Sequence, residues 1–192
     1  MTRYLARACA ALRSRSLTSL TVTTSTTMSE SQFHPLKFND KTREPYLRLP
    51  APYDNIILTP PRMSDAPAVV SNMMDPRVYV WLEGPPHPYL PQDAESWLTK
   101  IKAGTDLVIE ELQRASIDKP DGPLVLVNDS PVRAIREIQA DGSELFLGDI
   151  TILRERYPDI EDLETKQALV KPNVQRKLGD PDIVWCFGGT LA

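Results

Sequence analysis

The sequence predicts an α+β domain in which helices pack on a mixed or antiparallel sheet. Three observations carry this. A short β-branched run, Ile56 to Leu58, is closed by Thr59-Pro60-Pro61, and proline cannot continue a strand ladder because it lacks the backbone donor. Apolar residues then recur at helical spacing from Ser64 to Leu112. From Leu124 onward the period becomes strand-like, with Asp141-Gly142 as a hairpin turn. A run of helices followed by strands in hairpin succession is the pattern of helices layered on a sheet.

Charge and composition narrow the function classes. With 192 residues and 41% hydrophobic content, one core of ordinary size is expected. A formal charge of −4 disfavours nucleic acid as a direct partner, because phosphate-tracking surfaces need clustered Lys and Arg. Cys9 and Cys186 stand far apart with no Cys/His cluster, so neither a disulfide framework nor a metal site is expected. No apolar run reaches the roughly 18 residues of a membrane span, so no membrane partner is expected either.

Residues 1 to 28 differ from the rest. Arg3, Arg7, Arg13 and Arg15 appear with no acid before Glu30, and Ser and Thr dominate from Ser14 to Thr27. This composition fits a mitochondrial presequence or a disordered tail, and Met28 is an alternative start. The location implied is cytoplasmic or mitochondrial. Without the four arginines the charge falls from −4 to −8. Residues 29 to 52, punctuated by Pro35, Pro45, Pro50 and Pro52, read as an extended lead-in, and the folded domain as 53 to 192.

After the first strand the elements run in this order. Ser64 caps a helix with Ala66, Val69, Val70, Met73 and Met74 on one face, ending at Asp75. Asp75-Pro76 opens a second helix with Val78, Trp81 and Leu82 on one side, stopping at Gly84. Gly84 to Pro91 is too rich in proline for a helix or central strand. Pro91-Gln92-Asp93 opens a third helix carrying Ala94, Trp97, Leu98, Ile101, Val108 and Leu112, with Gly104 as the place for a kink. Leu124 to Val127 and Val132 to Ile138 read as one strand region broken at Asp129 to Pro131. Leu145 to Leu153 is its hairpin partner. Residues 154 to 181 form a mixed-charge connection in which Leu163, Val170, Val174 and Leu178 give a little helical order. Ile183 to Phe187 is a last, strongly apolar strand.

Several of these segments carry recognisable wording: Leu58-Thr59-Pro60-Pro61-Arg62 before Asp65, Asp75-Pro76-Arg77-Val78-Tyr79-Val80-Trp81-Leu82, and Gln92-Asp93-Ala94-Glu95-Ser96-Trp97. The hairpin adds Pro131-Val132-Arg133-Ala134-Ile135-Arg136-Glu137 and Leu145-Phe146-Leu147-Gly148-Asp149-Ile150-Thr151-Ile152. In this order they resemble the GNAT superfamily of N-acetyltransferases, most closely its ribosomal-protein alanine acetyltransferase branch and related fungal-type proteins, over about residues 53 to 187.

The resemblance implies acetyl transfer from acetyl-CoA to an amine: a protein N-terminus, a lysine or a small amine. In that family the donor lies in a splay between the fourth and fifth strands, and its pyrophosphate sits on a loop of pattern Arg/Gln-x-x-Gly-x-Gly/Ala at a helix N-terminus. Here the fourth strand is Ile183 to Phe187, and that loop does not stand among the 192 residues. Gly188-Gly189 reads as a flexible end. The domain is therefore expected to be truncated after its fourth strand, and this chain alone to be inactive and to bind no acetyl-CoA at millimolar concentration.

Backbone groups at Trp185, Cys186 and Phe187 are the cofactor contacts that the resemblance implies. Their side chains read as core, with Cys186 a buried, hydrophobe-like thiol. The segment Trp81 to Tyr89 matches the family's acceptor-covering loop, so Trp81, Glu83 and Tyr89 are the candidate substrate contacts, with Trp81 expected in the core and Tyr89 exposed. Amine acetylation needs a base. Glu83, Glu137 and Asp149 have the chemistry, none is assigned, and His34 and His87 read as exposed loop residues. The alternative function is a non-catalytic interaction protein, using the loop 84 to 91 or the connection 154 to 181.

Overall fold

The computed structural model describes residues 32–82 and 84–191. They form an α+β fold in which six antiparallel strands lie in sequence order. The strands are β1 (Lys37–Phe38), β2 (Pro45–Arg48), β3 (Ile56–Thr59), β4 (Ala134–Ile138), β5 (Glu144–Arg154) and β6 (Trp185–Leu191). Between β3 and β4 run α1 (Ala66–Met74), α2 (Pro76–Tyr79) and the long α3 (Pro91–Asp118), and α4 (Leu163–Gln175) lies between β5 and β6.

The helices start where short acidic side chains satisfy orphan N–H groups. Asp75 Oδ1 accepts from Arg77 N–H at 2.8 Å to open α2, and Asp162 Oδ2 accepts from Thr165 N–H at 2.8 Å to open α4. Ser64 does not cap α1. A 3₁₀ turn at Met63–Asp65 precedes the helix, Asp65 takes the cap position, and Asp65 Oδ2 reaches back to Arg62 N–H at 2.9 Å.

Two apolar clusters hold the layers together. Val69 of α1, Tyr89, and Ala94 and Leu98 of α3 pack with Phe146 of β5. Farther along α3, Val108 and Leu112 pack with Phe33, Leu36, Val125 and Val127. The second cluster draws the lead-in onto the helix, where the Gln32 side-chain amide also clamps the following segment. Its Nε2 donates to Pro123 O at 3.2 Å and its Oε1 accepts from Val125 N–H at 2.9 Å.

The β4–β5 hairpin turns through Gly142 at φ +82° and contains a bulge. Ile135 faces Gly148 and Arg136 faces Phe146, so Leu147 is the extra residue. Its carbonyl accepts from Asn72 Nδ2 of α1 at 3.2 Å, which pins the helix to the irregular point of the strand.

The structure departs from the sequence expectations in further places, among them α2, which ends at Tyr79 and not at Gly84. The lead-in supplies β1 and β2, because Leu47 and Arg48 find partners in Leu58 and Ile57. Leu124 to Val127 joins no ladder, its Val125 N–H being taken by Gln32. Helix α3 runs through Gly104 to Asp118 without a break. The connection after β5 contains the full helix α4. The last strand starts at Trp185, because the Asn173 amide takes the Val184 N–H and shares the Val184 carbonyl with Glu155 N–H, and Gly188 and Gly189 lie inside β6 opposite Thr151 and Ile150.

Two glycines respond to substitution with opposite sign. A Cβ at Gly104 meets only Asp129 Oδ2, at 3.7 Å, so Gly104→Ala is expected to stabilise by about 1 kcal/mol through helix propensity. At Gly148 a Cβ would come 2.0 Å from Thr190 O, so Gly148→Ala must push β6 off β5 and is expected to cost about 2 kcal/mol or more. Urea denaturation midpoints of the two variants check both signs.

Candidate functional site

The residues proposed for the cofactor lie at the start of β6, opposite the end of β5. Trp185 faces Arg154, Cys186 faces Leu153 and Phe187 faces Ile152. Trp185 is half-buried under the Arg154 guanidinium, 5.7 Å from the ring centroid, and Arg154 Nη1 donates to Asn173 O at 2.6 Å. One arginine thus ties β5, β6 and the end of α4. Phe187 is exposed, contrary to its expected place in the core, because it and Ile152 share a stretch of sheet whose side chains reach solvent. Cys186 is half-buried, with Sγ 3.8 Å from Phe187 O.

Strand alternation separates their backbone groups. Glu155 N–H donates to Val184 O at 2.9 Å, and antiparallel hydrogen-bonded pairs recur every second residue. The peptide groups of Cys186, Gly188 and Thr190 therefore point to β5, while those of Trp185, Phe187 and Gly189 point to the outer edge of β6. Among the described residues no strand pairs with that edge. Trp185 and Phe187 can offer N–H and C=O to an extended ligand there, and Cys186 cannot.

The acceptor-side expectations are exchanged by the structure. Tyr89 is only 6% exposed and belongs to the main core, and its N–H donates to the thioether Sδ of Met74 at 3.2 Å. Burial, together with the charge of Asp93, pushes its phenol above the ordinary range. Trp81 is 68% exposed. It shares i, i+3 spacing with buried Val78, but α2 ends at Tyr79, so helical periodicity no longer governs its direction. Beside it the rings of Tyr79 and His87 stack at 4.3 Å between centroids. Glu83 lies outside the described residues.

The two remaining carboxylates with the chemistry of a base, neither of them assigned as one, are engaged. Asp149 receives both Nε and Nη2 of Arg133, at 2.6 and 3.0 Å, in a pair whose side chains are buried, and Arg133 lies 5.9 Å over the Trp97 ring. Glu137 accepts from Asn55 Nδ2 at 2.9 Å and Gln139 Nε2 at 3.0 Å. His34 and His87 are exposed. Among the described residues no cluster of three or more His, Cys, Asp or Glu could hold a metal, and no helix is long and apolar enough to cross a membrane.

The buried charges of the sheet were not anticipated as a group. Arg136 bonds both oxygens of Asp65, at 2.9 and 2.8 Å, and its Nε donates to Thr59 Oγ1 at 2.7 Å. Arg62 bridges Glu44, at 2.5 Å, and Glu144, at 2.7 Å. Burial works against the Arg62 charge, and the bonds to Glu44 and Glu144 outweigh it, holding the guanidinium above its ordinary value. A sequence signal existed: Arg136 occupies the same alternate positions of β4 as Ala134 and Ile138, where an apolar residue is the norm.

The helix that leads to Trp81 opens on a carboxylate whose titration is displaced. The Arg77 side chain and N–H, bonded to the Asp75 carboxylate, hold it at about 2, against 3.8 for a free aspartate. A depressed value in the folded state means that the cap's contribution is complete above the ordinary aspartate range and is lost as pH falls through about 2. Arg77→Ala is expected to raise the Asp75 midpoint toward 3.8, read from its carboxyl NMR shift; an unmoved midpoint contradicts the assignment.

No family model, curated protein or solved structure matches this chain.

Proposed function

We propose that the chain carries the strand and helix half of a GNAT-type N-acetyltransferase, which moves an acetyl group from acetyl-CoA to an amine. The observation that supports this reading best is the open edge of β6. There the outward peptide groups of Trp185 and Phe187 are spaced to pair with the amides of an extended pantetheine arm. The run β3, helices α1 to α3, then the β4–β5 hairpin accords with this reading, whereas β1 and β2 before it and α4 between β5 and β6 are additions to the expected order.

Acetyl-CoA supplies an activated thioester. The chain's own contribution would be to align it along β6 and to direct a backbone N–H at the carbonyl oxygen, which gains negative charge as the amine attacks. Exposed Trp81 offers an aromatic face to a cationic acceptor before it loses its proton. Asp149 and Glu137 serve the sheet through their hydrogen bonds, and neither is assigned as the base. The pantetheine contacts fit residues present here. A diphosphate cradle of the pattern Arg/Gln-x-x-Gly-x-Gly/Ala does not stand among the 192 residues.

The reading is tested at the nucleotide level and then by assay. The sequence downstream of the Phe187 codon is expected to encode, in one frame, a continuation with that pattern. A product carrying it is expected to acetylate an amine from acetyl-CoA, and the 192-residue chain to show no transfer. Unrelated continuations in every frame, together with no transfer, would remove the proposal.

A further inference from the structure

The segment Leu124–Val127 lies between α3 and β4, packs on the second apolar cluster and belongs to no ladder. Its burial alternates: Leu124 and Leu126 are 42% and 59% exposed, while Val125 and Val127 pack inward against the cluster of Phe33, Val108 and Leu112. Its hydrogen bonding alternates as well. The Gln32 amide takes Pro123 O and Val125 N–H, two residues apart as on one edge of an extended chain, while its Nε2 also donates to Lys119 O and Gly122 O in the turn before the segment. The N–H and C=O groups of Leu124 and Leu126 then point to the opposite edge. Among the described residues no hydrogen bond engages them.

We infer that Leu124–Val127 is a strand-addition site, and that its occupant is an extended segment of a partner protein with basic residues flanking a β-branched run. The open backbone pairs call for a strand, because neither a helix nor an apolar surface can satisfy two N–H and two C=O groups along one edge. Charge selects the flanks. From Asp118 to Asp129 the segment carries the carboxylates of Asp118, Asp121 and Asp129 against the single ammonium of Lys119. A second copy would set these acids against its own. Gln32 already supplies half of this recognition, mimicking a peptide group on the other edge.

The segment precedes β4 and shares no residue with the edge of β6, so its role as a docking edge is independent of the acetyltransferase reading. It is tested on the intact 192-residue chain with the synthetic peptide acetyl-Lys-Val-Thr-Val-Thr-Lys-amide. Amide hydrogen exchange by NMR is expected to slow at Leu124 and Leu126 when the peptide is added, with binding weakened by salt. N-methylating the peptide at its two facing amides is expected to weaken binding at least about tenfold, the loss of two hydrogen bonds. Absence of binding, binding indifferent to N-methylation, or protection at other residues would overturn the inference. So would slow exchange at Leu124 and Leu126 before the peptide is added, which would mean that the chain itself or a second copy already covers the edge.

Discussion

The fold depends first on one buried ion pair, Arg136 of β4 with Asp65 at the start of α1. Both side chains are almost wholly removed from water, and taking two charges out of solvent costs several kcal/mol per ion. That cost is offset only where geometry is good and the remaining donors are used. Here the guanidinium meets both carboxylate oxygens, gives its Nε to Thr59 and lies 5.7 Å over the Phe146 ring, while Asp65 also accepts from Arg62 N–H. One residue pair therefore joins β3, β4, β5 and the helix layer. Around it Arg62 extends the network outward, to Glu44 after β1 and to Glu144 at the start of β5.

The consequence for the candidate site is indirect. Fixing the start of α1 helps to fix where Asn72 meets the Leu147 carbonyl at the bulge of β5. A second buried ion pair, Arg133–Asp149, lies just before β4 and on β5, and Arg154 over the Trp185 ring joins β5 to β6. Asp149 and Glu144 of this sheet are spent on arginines and Glu137 on the amides of Asn55 and Gln139, so the carboxylates that look available in the sequence are structural in the fold. Among the described residues, backbone stays without a strand partner at the outer edge of β6 and along Leu124–Val127.

Long elements with strong apolar period were legible in the sequence. Helix α3 and the β4–β5 hairpin fall close to the expected residues, because Ala94, Leu98, Val108 and Leu112 keep helical spacing and Asp141-Gly142 permits only a tight turn. Strands β1 and β2 were not, since two to four residues between prolines carry no period and acquire their form from β3. Helix α4 was understated because its only fully buried residue is Asn173, a polar anchor and not an apolar stripe. The exchange between Trp81 and Tyr89 has the same cause. Trp81 lies in the turn after α2 and Tyr89 in the proline-rich loop, so neither sits on a regular element and tertiary packing decides which ring is covered. Arginine and aspartate are exposed by default, and nothing local marks Arg136 and Asp65 as partners 71 residues apart.

The most direct measurement is a double-mutant cycle on that pair, using Asp65→Asn, Arg136→Met and the combined variant in urea unfolding. Each single change leaves a buried charge without its partner and is expected to cost about 3 to 5 kcal/mol, with the combined loss well below the sum. Single losses within about 0.5 kcal/mol of zero, or strictly additive losses, would show that the pair does not hold the layers together.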